Sequence, residues 1–170
     1  GNVDIRGSEL SANNLETKNI VLTGTAQTVN FTGGIGNDKL LIDAGDDTTS
    51  VTVTGTYGIG TDTLKVDFET AATIAANYTL DTTGASGYDT GTFTLSSEAF
   101  DATVKLASGT DADTVVFKAA TNKATITGFD ADYDALNIIG FSGGALAKVV
   151  TTGALTTTAN KVYTLASSTA

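Results

Sequence analysis

No cysteine, histidine, proline, methionine or tryptophan occurs in the chain. Without cysteine there is no disulfide framework and no thiolate chemistry. Without histidine there is no imidazole base, no Ser–His pair and none of the usual zinc sites. Without proline, turns fall to Gly, Asn and Asp. Aromatic residues make up 7% of the 170 positions, too few for the stacking platforms of a glycan-cleaving cleft. The only acid–base candidates are then carboxylate pairs such as Asp130/Asp132, and the residues point away from an enzyme. Basic side chains are scarce as well, nine against nineteen acids, for a net charge of −10. Such a surface is a poor partner for nucleic acid or an anionic membrane. No apolar run approaches the roughly 18 residues that span a bilayer, so no membrane insertion is expected. No methionine opens the chain, which reads as a segment of a longer polypeptide with any targeting signal outside it.

What is present is β-forming. Hydrophobic residues reach 41%, enough for a core, and that core must be built from Val, Ile, Leu, Ala and the methyls of Thr. Thr is the commonest residue; it is stiff at χ1 and favours strands. Nineteen glycines and a large excess of Asp over Glu supply the turns, and Asp is also a short, stiff cation ligand. The runs Lys39–Asp43, Val51–Thr54, Thr63–Phe68, Val115–Phe117 and Leu136–Ile139 argue against disorder, so the fold class is all-β.

Four segments share one pattern of strand, Gly/Asp turn and strand: Thr28–Asp43, Val51–Asp67, Thr103–Lys118 and Ala124–Ile139. In each, an Asp lies one or two residues before the second run: Asp38, Asp62, Asp113 and Asp134. One such unit cannot bury its apolar face alone, so neighbours stack and share a core. A hairpin meander fits the same pattern, but turns recurring in similar register favour a parallel β-solenoid, or β-roll-like stack, of short strands. The stretch Glu69–Ser97 breaks the pattern and reads as a connection or projecting loop. Phe68–Tyr78 reads as a short helix or irregular strand and Asp81–Gly91 as a loop. Residues 1–141 are expected to form the solenoid region. Residues 142–170 are expected to supply C-terminal capping strands, with Lys148–Thr151 and Lys161–Leu165 as a hairpin.

The sharpest motif is Gly33-Gly34-Ile35-Gly36-Asn37-Asp38-Lys39-Leu40-Leu41, of the form G-G-x-G-x-D-x-U-x with U a large apolar residue. Glycines permit positive φ and let carbonyls face one point. The Asp adds charge at the end of the turn, and carbonyl plus carboxylate oxygens suit a hard cation such as Ca²⁺. The chain here resembles the RTX, or hemolysin-type, calcium-binding repeat family. Gly33–Leu41 matches its nonapeptide throughout. Gly58-Ile59-Gly60-Thr61-Asp62-Thr63-Leu64 matches the second half, with Tyr57 where the first glycine belongs. Ser108–Val115, with Asp111 and Asp113, is a looser echo. Ile126–Ile138, with Asp130, Asp132 and Asp134, is similar to the acid-rich segment that follows the last repeats. The candidate metal ligands are thus Gly34, Gly36, Asn37, Asp38, Gly58, Gly60, Asp62, Asp111, Asp113, Asp130, Asp132 and Asp134. The alternative at each is a plain solvated turn, as for Gly45-Asp46-Asp47.

The matches are isolated and separated by Thr-rich strands, a spacing similar to that of bacterial surface-layer proteins and large adhesins exported by type I secretion. That resemblance implies a Ca²⁺-dependent structural module, secreted to the cell surface and self-assembling with identical protomers into a lattice. An alternative is an adhesin or carbohydrate-binding segment, with the Asp81–Gly91 loop and Tyr88 meeting a cell-surface glycan. A third is a spacer that takes no calcium.

Overall fold

The computed structural model describes residues 1–6, 20–44, 48–68, 76–95, 99–118, 123–130, 132–139 and 148–152. All the regular elements among them are strands: β1 (Asn2–Arg6), β2 (Ile20–Leu22), β3 (Ala26–Thr32), β4 (Lys39–Ala44), β5 (Ser50–Thr56), β6 (Thr63–Asp67), β7 (Ala76–Ser86), β8 (Thr90–Thr94), β9 (Ala99–Lys105), β10 (Ala112–Lys118), β11 (Lys123–Thr127), β12 (Ala135–Ile139) and β13 (Lys148–Thr152).

Odd and even strands part company. The odd strands form one seven-stranded sheet in the order β1-β3-β5-β7-β9-β11-β13, and the even strands a six-stranded sheet in the order β2-β4-β6-β8-β10-β12. All the pairings are parallel. The chain therefore winds as a β-solenoid, each coil giving one strand to each sheet.

Alternation dictates the core. In β4 and β6 every second side chain is buried, Leu40 and Ile42 in one and Leu64 and Val66 in the other. Because Leu40 pairs with Leu64 and Ile42 with Val66, these residues stack into apolar rows along the solenoid. The second row continues through Phe93, Val115 and Leu136. In the facing sheet Val51, Leu80, Val104 and Ile126 make the matching row. Small β-branched residues suit this repetition because each coil must present nearly the same shape to the next. Fully burying one Leu or Val contributes roughly 1.5–3 kcal/mol.

The stretch expected to leave the stack stays in it. Asp81–Gly91, read as a loop, supplies the second half of β7, a turn at Gly87–Asp89 and the start of β8. Tyr78 and Leu80 point into the core like the residues of any other coil. A register shift between Thr52 and Thr54 of β5 against β7 marks a bulge, which absorbs added residues while keeping pairing on both sides. Residues 69–75 and 96–98 lie outside the described residues. Of the two strands expected to form a capping hairpin, Lys148–Thr152 lies parallel to β11 and continues its sheet. Lys161–Leu165 lies outside the described residues, as does Gly45-Asp46-Asp47.

Candidate metal site along the aspartate column

Each coil turns a corner just before its even strand, and the corners stack. Gly33–Asn37 lies against Tyr57–Thr61: Gly36 N–H donates to Ile59 O at 2.8 Å, Ile59 N–H to Gly34 O at 3.1 Å, and Thr61 N–H to Asn37 Oδ1 at 2.9 Å. The glycines are steric necessities. Gly58 has φ of 104°, and a Cβ there would overlap the Gly34 carbonyl. A Cβ on Gly60 would overlap the Gly36 carbonyl. Residues bearing side chains would hold the two corners apart.

At the inner end of these corners stands a column of aspartates. Lys39 pairs with Thr63, Thr63 with Thr90 and Thr90 with Ala112, which brings Asp38, Asp62, Asp89 and Asp111 to one level. Asp113 and Asp134 form a second, inner level, since Thr114 pairs with Ala135. The carboxylates cap backbone amides of the coil before. Asp38 N–H donates to Asp62 Oδ1 at 2.6 Å, Asp62 N–H to Asp89 Oδ2 at 2.7 Å and Asp113 N–H to Asp134 Oδ1 at 3.0 Å. Asp38 also closes its own corner by accepting Gly34 N–H at 2.8 Å. Asp38, Asp62, Asp113 and Asp134 are buried.

The electrostatics are unfavourable as they stand. Strand spacing of about 4.8 Å sets successive carboxylates close enough to repel by roughly 3 kcal/mol at an effective dielectric of 20. Burial pushes the Asp62 carboxyl up, the Asp38 amide opposing and the charges of Asp38 and Asp89 adding. Asp113 is pushed up to about 8, by burial first and then by the charges of Asp111 and Asp134. Asp134 rises through burial, with the amides of Asp130 and Asp113 working against it. Burial also raises the Tyr57 hydroxyl, helped by the charge of Asp62, and the Tyr88 hydroxyl, helped by Asp113 and Asp111. The ion pairs Arg6–Asp4, Lys65–Asp67 and Lys105–Asp81 lie on exposed or half-exposed side chains outside the column.

The sequence-predicted ligands separate into three groups. Gly34, Gly36, Asn37, Asp38, Gly58, Gly60 and Asp62 come together in one pair of stacked corners. Asp111, Asp113 and Asp134 come together two and three coils further on. Asp130 and Asp132 stay on the outer turn, where Asp130 accepts the amide of Asp132 at 2.9 Å and donates its own to Asp134 Oδ2 at 2.7 Å. The sequence reading missed Asp89, which sits in the column although its corner lacks the nonapeptide glycines. Its signal was the Asp immediately before a Thr-rich strand. Tyr88, read as a glycan contact, is buried at 4% exposure with its hydroxyl on Asp113 Oδ2 at 3.2 Å, so it offers no open face to a sugar ring.

No protein-family model, curated protein or solved structure matches the chain.

Whether the column fits a cation is a question of free oxygens. Among the described residues no three or more acidic side chains close on a common point, and Gly34 O and Ile59 O already accept ladder amides. Yet Asp62 Oδ2 and Asp113 Oδ1 are buried with no hydrogen-bond partner. An unpaired buried carboxylate oxygen costs several kcal/mol unless it is protonated or meets a cation. The donor set is all oxygen, which suits Ca²⁺ and excludes the soft metals. The residues therefore fit an ion that draws on one or two carboxylates and completes its shell with carbonyls or water.

Proposed function

We propose that this chain is a structural segment of a secreted bacterial surface-layer protein, a β-solenoid whose coils are fastened by Ca²⁺ and which packs beside identical protomers in a cell-surface lattice. The observation that carries the reading is the aspartate column: stacked and like-charged, with Asp38, Asp62, Asp113 and Asp134 buried. Asp62, beside Asp38 and Asp89, and Asp113, beside Asp111 and Asp134, would each hold an ion. Calcium would supply countercharge to the column and link successive coils. Ion binding is then folding free energy, available outside the cell where calcium is abundant. The RTX-like corner Gly33–Leu41 supports the same reading. For the lattice, the outer face of the seven-stranded sheet offers short hydroxyl side chains in register, with Ser50, Thr79, Thr103 and Thr125 forming one row. Such a face suits polar side-to-side contacts. A chain of net charge −10 needs cations before copies of it can approach.

The test is thermal unfolding in calcium and in chelator. Extracellular calcium modules bind at about 10⁻⁴–10⁻³ M, and free calcium about 100 times Kd stabilises one site by about 2.7 kcal/mol. For a domain this size that is a rise in Tm of roughly 5–10 °C. An unchanged Tm would remove the calcium reading and leave an inert spacer. Ordered two-dimensional arrays in electron micrographs, present in calcium and lost in chelator, test the lattice. A hollow of about 220 Å³ between corners 85–88 and 107–111 favours a second reading, an adhesin segment, which glycan binding without arrays would support.

A further inference from the structure

Among the described residues four large hydrophobic side chains are exposed, and three of them, Ile35, Ile59 and Tyr133, stand on the edge of the solenoid formed by the stacked corners. Single exposed hydrophobics need no explanation, but contiguous ones do. Ile35 and Ile59 are contiguous. They pair across adjacent corners as a parallel bridge and are 56% and 74% exposed. Close stacking requires the glycines around them, but neither isoleucine belongs to the core. Ladder bonds from Gly36 N–H to Ile59 O and from Ile59 N–H to Gly34 O fix the backbone beneath both side chains. A contact made there orders side chains and no backbone.

The next coil has no counterpart to Ile59. Thr56 pairs with Ser86, and Asp62 stands level with Asp89. Between those points the chain runs through Tyr57–Thr61 in one coil but only through Gly87 and Tyr88 in the next, and Tyr88 turns inward. The corner recedes there and leaves the hollow of about 220 Å³. Short residues wall most of it, Ala85, Ser86, Ala107, Ser108 and Gly109, and Asp111 lines it too. The edge thus carries a ridge and, one to two coils along, roughly 5–10 Å at the strand spacing, a recess.

From this pairing we infer that the corner edge is a contact face between two copies of the chain, related by a twofold axis with their solenoids antiparallel and with Ile59 of each copy seated in the hollow of the other. A ridge and a recess on one face are the self-complementarity that an isologous contact requires. The same rotation carries Ile35 toward the later corners of the other copy, where Tyr133 is exposed. Charge favours this direction. Asp89 and Asp132 on the later corners are exposed, whereas Asp38 and Asp62 at the isoleucine corners are buried. Antiparallel copies set acidic corners against apolar ones, and parallel copies would set acid on acid. The face is narrow and belongs with the weak contacts below about 1,200 Å². It goes beyond the lattice reading, which places its contacts on the threonine face, and needs only that identical copies meet.

Analytical ultracentrifugation in calcium and about 0.15 M salt, which screens the net charge, is expected to show a monomer–dimer equilibrium below about 1 mM. Ile59→Ser should weaken it about tenfold, the worth of one buried isoleucine, and Thr110→Trp, which fills the hollow, at least as much. Val21→Ser, which removes an exposed hydrophobic from β2, should leave it unchanged. Circular dichroism checks the fold of each variant. The chain has no cysteine, so introduced thiols report the geometry. Thr61→Cys protein mixed with Thr110→Cys protein should cross-link to its counterpart in preference to itself. A parent that stays monomeric, an Ile59→Ser variant that dimerises like the parent, or a Val21→Ser variant that weakens as much overturns the inference, and the hollow then goes to another occupant such as a glycan. Preferred self-linking, or masses that climb past the dimer, overturn the twofold contact. Electron micrographs report separately on the lattice: arrays absent from a parent that dimerises remove the lattice reading and not this contact.

Discussion

A buried aspartate is a costly residue for a coil corner, and its cost has a pH signature. Asp113 has a carboxyl pushed from 3.8 to about 8, by burial and by the charges of Asp111 and Asp134; Asp62 and Asp134 move the same way. In the unfolded chain these acids titrate near 3.9. Between the two values the folded state holds protons that the unfolded state has released, so stability falls as pH rises. The metal-free protein is therefore expected to lose the stability these protons supply from about pH 4 upward and to weaken steadily toward pH 8. Calcium should reverse the trend, because only the ionised carboxylate is a good ligand. Unfolding midpoints in chelator at pH 5, 6.5 and 8, repeated in calcium, check this. A metal-free protein that strengthens toward pH 8 would mean the column is ionised and stabilised by something other than an ion. Asp113→Asn should flatten the chelator curve, since an amide in that position neither titrates nor repels Asp111.

At the scale of the element, the corner and the strand place different demands on sequence. Gly60 meets backbone, the Gly36 carbonyl, whereas Gly109 meets the carboxylate of Asp111, a side chain that can swing away. Gly60→Ala is accordingly expected to destabilise by about 2–3 kcal/mol, the scale of overpacking against a rigid neighbour, and Gly109→Ala by less than about 1 kcal/mol. Urea denaturation of the two variants decides it. Equal losses would mean that the corners flex as freely at Gly60 as at Gly109. This difference also explains what was legible beforehand. Gly33–Leu41 and Gly58–Leu64 were readable because close stacking forces glycines into fixed spacing. The alternation in β4, β5 and β6 was readable because each strand has a buried and an open face. The coil of β7 and β8 was not. Its separation from the coil before is 27 residues at Asp62 and Asp89, against 24 at Asn37 and Thr61. Its strand β7 also carries a one-residue register shift against β5, and no local pattern announces that a longer repeat will still close. Tyr57 looked like a lapse from the motif, and only the structure shows it wholly buried against Phe31 and Tyr88.

Across the whole molecule, backbone contacts run from each strand to the strands directly flanking it in its own sheet. Stability in such a stack is close to a sum of coil terms and nearest-neighbour terms, so a ligand that links neighbours changes cooperativity as well as total stability. The column spans Asp38, Asp62, Asp89, Asp113 and Asp134, whereas residues 7–19, which connect β1 to β2, contain no aspartate. Calcium bound along the column is thus expected to join the coils from β3/β4 onward into one unfolding unit and to leave β1 and β2 outside it. In amide hydrogen exchange, β4, β6, β8 and β10 should slow together when calcium replaces chelator. Protection in β1 should change little, because its only described neighbour is β3. A uniform slowing from β1 to β12 would show that calcium acts on the stack as a whole, by relieving general charge repulsion. A selective effect that ends where the aspartates end would place the ion in the column.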